Sequence, residues 1–168
     1  MQEQKEAAGL SERLVTISNI LVPTDGSGQA FKALNEAIHI AAVCDASLTL
    51  LMVVDLNQHV SAFEQVSMSG YVSAELKIAA YQFLAELMHV IPSEIPAHVR
   101  VEVGDPAEMI VSVAEEIEAD LIVIGSRGMG SMVSFFTGSV SRDVLHNATC
   151  PVLVMKGVPD DWDEEARP

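Results

Sequence analysis

The chain reads as one α/β domain, a five-stranded parallel sheet doubly wound with helices on both faces. Apolar runs of strand length alternate with amphipathic helical stretches, which is the pattern of right-handed β-α-β crossovers. Two of the runs, residues 48–54 (LTLLMVV) and 121–124 (LIVI), are almost free of polar side chains, as strands covered on both faces require. At 168 residues the chain is the size of one ordinary domain and can bury roughly 70% of the surface its unfolded form exposes.

The elements follow in order. Residues 17–23 form a short β-branched strand that ends at Thr24-Asp25-Gly26-Ser27, a turn and helix-cap sequence. From Gln29, apolar residues recur at Ala30, Ala33, Leu34, Ala37, Ile38 and Ala41, one face of a helix. Residues 48–54 are the second strand. Residues 56–71 lack a clear period and read as a mobile loop or lid. Residues 72–91 return to helical spacing through Leu76, Ala80, Phe83, Leu84 and Leu87, with Pro92 and Pro96 as terminators. Val99, Val101 and Val103 alternate with Arg100 and Glu102, a strand with one exposed face that belongs near a sheet edge. Asp105 and Pro106 suit the N-cap and first position of a helix whose buried stripe is Ile110, Val113, Ala114 and Ile117. Residues 121–124 are the fourth strand, residues 125–138 a glycine-rich stretch, residues 139–146 a helix and residues 152–155 a last strand.

Composition excludes several function classes. Asp and Glu number 24 against 9 Lys and Arg, a formal charge of −15. It divides into −4 on residues 157–168, −1 on residues 1–18 and −10 on residues 19–156, so the folded part is itself acidic. Such a field repels nucleic-acid backbones and anionic membranes, so neither is expected as a partner. An anionic ligand would have to be held by local backbone geometry or a metal. Hydrophobic residues make up 49% of the chain, which rules out wholesale disorder. Two cysteines, Cys44 and Cys150, make no disulfide framework, and the five histidines are scattered without ligand spacing. No stretch resembles a signal peptide or a membrane span, and a cytoplasmic location is expected.

In an open α/β sheet, ligands lie at the carboxyl ends of the strands, where strand order reverses. The first strand delivers Pro23, Thr24 and Asp25 there, and the fourth delivers Gly125, Ser126, Arg127 and Gly128. Gly138, Ser139, Val140 and Ser141 then open a helix, whose first amides have no intrahelical partner. With Ser139 and Ser141 as hydroxyl donors, this is a phosphate cradle. Known phosphate and nucleophile motifs are absent: no Lys follows the glycines at Walker spacing, the dinucleotide fingerprint is missing after the first strand, and Ile124 stands where a hydrolase elbow needs glycine. Tight turns without a ligand explain the glycines equally simply, and an Asx-turn explains Asp25.

The spacing Gly125, two residues, Gly128, nine residues, Gly138, Ser139 resembles the ATP-binding signature of the universal stress proteins. ILVPTDGS at 20–27, LLMVVD at 50–55, ADLIVIGSRG at 119–128, GSVS at 138–141 and CPVLVMK at 150–156 resemble the family's strand and loop texts, so the likeness covers residues 19–156. Residues 1–18 then form a flexible lead and residues 157–168 an acidic tail. The resemblance implies a Rossmann-like fold of the adenine-nucleotide alpha-hydrolase kind, ATP as ligand and a homodimer. Carried over, adenine and ribose fall on Pro23, Thr24, Asp25 and Val53, and phosphates on Gly125, Arg127, Gly128, Gly138, Ser139, Val140 and Ser141. Mg²⁺ would be held through phosphates and water. The last strand, Val152, Leu153, Val154 and Met155, is short and apolar, and pairing it across a two-fold axis would hide a sheet edge. The expected role is a nucleotide-dependent stress-response sensor or interaction module. A slow ATPase or a nucleotidyl or phosphoryl transferase, and a nucleotide-free interaction domain, are the alternatives. The sequence offers no general base or nucleophile for an enzyme.

Overall fold

The computed structural model describes residues 16–56, 62–126 and 138–156. Among the described residues five strands and four helices alternate: β1 (Asn19–Pro23), α1 (Gly28–Cys44), β2 (Ser47–Val54), α2 (Ala62–Met88), β3 (Ala97–Val103), α3 (Pro106–Glu116), β4 (Leu121–Gly125), α4 (Ser139–Asn147) and β5 (Val152–Met155). The strands form one parallel sheet in the order β3-β2-β1-β4-β5. Strand order therefore reverses between β1 and β4, which are hydrogen-bonded neighbours.

Alternation along the central strands divides the core. Ile20, Val22, Leu48, Leu50 and Val123 point to one face, against Ala33, Leu34 and Ala37 of α1 and Ala80, Leu84 and Leu87 of α2. Leu21, Leu51, Ile122 and Ile124 point to the other, against Ile110, Val113 and Ala114 of α3 and Val144 of α4. Small residues on α1 let it approach the sheet closely. β1 is enclosed by both layers, and Ile20, Leu21 and Val22 are wholly buried.

Caps fix the helix starts. Ser27 accepts the Ala30 amide through Oγ at 3.2 Å, and Asp105 accepts that of Glu108 through Oδ1 at 3.0 Å with Pro106 in the first turn. Each such cap stabilises its helix by about 1 kcal/mol. β3 lies at the sheet edge, as its alternation predicts, and β5 forms the opposite edge.

The loop expected over 56–71 is corrected from Ala62 onward, where α2 already runs. Nucleation is the costly step in helix formation and propagation is cheap. The strongly periodic part of α2 therefore carries the helix back through Ser67, Ser69 and Gly70, whose weak propensities hide it from a sequence reading. Residues 57–61 of that expected loop, the lead up to residue 15 and the tail from residue 157 lie outside the described residues. At its far end α2 stops at Met88, before both prolines.

Candidate functional site

Three buried polar side chains are found among the described residues: Thr24, Ser126 and Ser141. All three belong to the carboxyl side of the β1–β4 junction. Burying a hydroxyl is unfavourable unless it is bonded, so each of them marks an organised polar network.

β1 ends in a turn held by its own side chains. The Thr24 amide donates to the Leu51 carbonyl of β2 at 2.8 Å. Thr24 Oγ1 accepts from the Gly26 amide at 3.3 Å, and Asp25 Oδ1 accepts from the Ser27 amide at 3.0 Å. Gly26 adopts φ +80°, a left-handed conformation that glycine takes without strain. Pro23 is buried beneath this turn, and Asp25 is exposed above it in an Asx-turn. Val53, half-buried one residue before the end of β2, packs on the α3–α4 side of the sheet.

The end of β4 is bound more tightly. At Gly125 a Cβ would stand 3.0 Å from the Gln29 carbonyl carbon and 3.1 Å from the Ala30 nitrogen, both backbone atoms of α1. The glycine is required because a helix start lies against it. Ser126, the next residue, is a hydrogen-bonding hub. Its amide donates to the Met155 carbonyl at 2.9 Å, and its hydroxyl donates to Gln29 Oε1 at 2.7 Å. Its carbonyl accepts from the Gly138 amide at 2.6 Å and from Ser141 Oγ at 3.1 Å. Ser126 and Gly138, which flank residues 127–137, are thus joined directly.

α4 opens at Gly138 without a side-chain cap, and its first intrahelical bond runs from the Arg142 amide to the Gly138 carbonyl at 3.1 Å. The amides of Ser139, Val140 and Ser141 consequently have no intrahelical partner, and the positive end of the helix dipole coincides with them. Ser139 is exposed and Val140 half-buried. One expectation is corrected: Ser141 is 2% exposed, and its hydroxyl donates to the Ser126 and Gly138 carbonyls. The single hydroxyl hydrogen is committed to the chain, which leaves Ser141 only its amide for a ligand.

The fold therefore gathers Pro23, Thr24, Asp25, Gly125, Gly138, Ser139, Val140 and Ser141 around the strand-order reversal, with Val53 one strand away on β2. Arg127 and Gly128 lie outside the described residues. Sequence reasoning placed Ser126 at this strand end without giving it a role, and missed Gln29. Their signal is a serine at a strand end and a glutamine in a first helical turn, neither unusual alone. A separate groove of about 520 Å³ between α3 and α4 is bordered by Asp105, Glu108, Glu115 and Asp143, a carboxylate rim that suits no polyphosphate. Among the described residues no group of three or more His, Cys, Asp or Glu could hold a metal ion, and no helix is long and apolar enough to cross a membrane.

An all-parallel five-stranded sheet with helices on both faces defines a doubly wound α/β protein, the class in which ligands sit at the strand-order reversal. The family model of the universal stress proteins matches residues 16–156, and the chain belongs to that family. A relative from Staphylococcus haemolyticus, named as a universal stress protein, is 32% identical over 159 residues, covering 90% of this chain and 93% of its own. The universal stress protein UspA from Lactobacillus plantarum superimposes with a TM-score of 0.68 at 32% identity, over 83% of this chain and 97% of its own. The protein MJ0577 superimposes with a TM-score of 0.77 at 26% identity, over 85% and 98%. Universal stress proteins solved with cAMP and with dAMP share the fold at 24% and 23% identity, with TM-scores of 0.56 and 0.53 and coverage of 85% and 84% of this chain and 99% of each.

Proposed function

We propose that this universal stress protein binds ATP with Mg²⁺ at the carboxyl end of β1 and β4, and that nucleotide occupancy sets its action as a stress-response sensor or interaction module. The observation that carries the reading is the row of amides at Ser139, Val140 and Ser141, open beside Gly125 and the Asp25 turn. In an acidic chain these fixed dipoles supply local positive potential where the net charge would repel a polyphosphate. In this reading Asp25 accepts from a ribose hydroxyl or an adenine amino group, and Val53 offers an apolar wall to the base. Arg127, Gly128 and Gly138 complete the assigned phosphate contacts. Mg²⁺ is carried by phosphates and water, neutralising charge that no Walker lysine meets. Structures of other family members with cAMP and dAMP support an adenine nucleotide as the ligand class, through the shared fold alone.

Titration calorimetry of MgATP into the purified chain tests this. Saturable heat is expected; none up to millimolar ATP, with no competition against a labelled adenine nucleotide, overturns it. Ser139→Asp isolates the cause. A carboxylate in the first turn suits the helix dipole, so folding stability is retained, yet it occupies the anion position, and MgATP affinity is expected to fall about tenfold or more.

We also propose a homodimer through β5. Val152, Leu153, Val154 and Met155 are all half-buried on an outer edge strand that carries no charged residue. Light scattering is expected to give a dimer at micromolar concentration and a monomer for Leu153→Lys, because a charged edge residue blocks strand pairing. A wild-type monomer ends the dimer reading.

A further inference from the structure

We propose that Gln29 and Ser126 are positioning residues, which set the open amides of α4 at the height and angle a phosphate needs. The inference rests on the nucleotide reading for its ligand, but its structural half stands alone.

Ser126 is 6% exposed and employs every polar group it has. Its amide fixes it to the end of β5 and its carbonyl takes both Gly138 N–H and Ser141 O–H, so α4 is hung from one carbonyl oxygen. What fixes that carbonyl in turn is the hydroxyl, whose bond to Gln29 Oε1 at 2.7 Å runs to the first turn of α1. The contact is possible because Gly125 has no Cβ to hold α1 away. Gln29 belongs to the helix that Ser27 caps, directly after the Asp25 turn. One side-chain bond therefore links the two halves of the crevice, the turn assigned to the nucleoside and the helix start assigned to the phosphates. Neither side chain needs to touch the nucleotide.

A bond of this kind is most consequential where a ligand needs both halves in register. Adenosine leans on the β1 turn and the end of β2; the triphosphate alone needs α4. Loss of the link is expected to spare the nucleoside and penalise the phosphates, a split that general loosening of the fold would not produce.

The experiment uses the full chain with Ser126→Ala, Gln29→Leu, the double variant and the conservative Ser126→Thr. Amide hydrogen exchange without nucleotide is read first. Faster exchange at the hydrogen-bonded amides of Gly138 and Arg142 in Ser126→Ala and in Gln29→Leu, no further change in the double variant, and near wild-type exchange in Ser126→Thr are expected. Unchanged exchange there in both single variants overturns the proposal, whether or not any nucleotide binds. Calorimetry comes second: MgATP affinity falls about tenfold in each single variant while adenosine affinity stays within about twofold. Equal losses for adenosine and MgATP overturn the positioning role. A wild-type chain that ignores both ligands while exchange still responds refutes the nucleotide reading, and with it the phosphate assignment, but leaves the Gln29–Ser126 link in place.

Discussion

The lead into β1, at the amino end of the sheet, and the start of α4, at its carboxyl end, treat their backbone donors in opposite ways. At the amino end, Asp120 Oδ2 accepts the amides of Ser18 and Asn19 at 2.8 and 3.0 Å, and Ser47 Oγ donates to the Ser18 carbonyl and to Asn19 Oδ1. A carboxylate of the chain itself thus satisfies the donors that lead into β1. At the carboxyl end, the three amides at the start of α4 receive no intrahelical partner and, among the described residues, no side-chain cap. Elsewhere at the carboxyl end the chain uses its own carboxylates, Asp25 on the Ser27 amide and Asp105 on that of Glu108, so the contrast is confined to the start of α4, the position proposed for a phosphate.

The largest effect is expected at Gly125. An added methyl would press on backbone atoms of α1 that cannot rotate away. Gly125→Ala is expected to cost about 1–3 kcal/mol in urea unfolding and to displace the Ser126 hub as well. Wild-type stability in that variant would mean that the carboxyl end is loose, and its open amides a matter of slack rather than design.

Asp120→Ala comes next and separates the ends. It strips two charge-assisted bonds from β1, and a loss of about 1.5–3 kcal/mol is expected by the same unfolding measurement. MgATP affinity should be untouched, because the site proposed for it lies at the other end of the strands. Joint loss of stability and affinity would show that the two ends are one cooperative unit.

Legibility followed the range of the interactions involved. β2 and β4 declare themselves because strands buried on both faces must be apolar throughout, and β3 because an edge strand alternates. Ser27 and Asp105 are readable as caps because a cap bonds within three residues. The family-like glycine spacing singles out Gly125, Gly138 and Ser139 without saying why Gly125 must be glycine; its reason is Gln29 and Ala30, 95 and more positions earlier. The Asp120 clamp spans about a hundred residues, and the Ser126–Gln29 bond 97, so neither leaves a local trace. The start of α2 was hidden for the converse reason: its residues are weak helix formers, and the helix reaches them by propagation.

The smallest effect sharpens the contrast between carboxylates held by backbone and those held in water. Glu116, the last residue of α3, accepts from Arg100 Nη2 at 2.6 Å, and Arg100 also donates to Glu102 at 2.6 Å. The hydrogen bond from Arg100 holds the Glu116 carboxyl below its ordinary value despite a small opposing desolvation, and the guanidinium, raised by both carboxylates, stays charged throughout. A folded-state value below the unfolded one stabilises the fold above the unfolded value of about 4.3 and loses that contribution as pH falls through the folded value. Wild type should therefore lose stability more steeply than Glu116→Gln below about pH 4.3, while the two differ by a constant amount near neutrality. The side chain is 61% exposed, so the difference should be slight and should shrink in 1 M salt. The loss in Asp120→Ala should persist in that salt, because its two acceptor bonds go to backbone amides rather than to a screened surface charge. Equal salt sensitivity of the two variants would place both carboxylates in the same class.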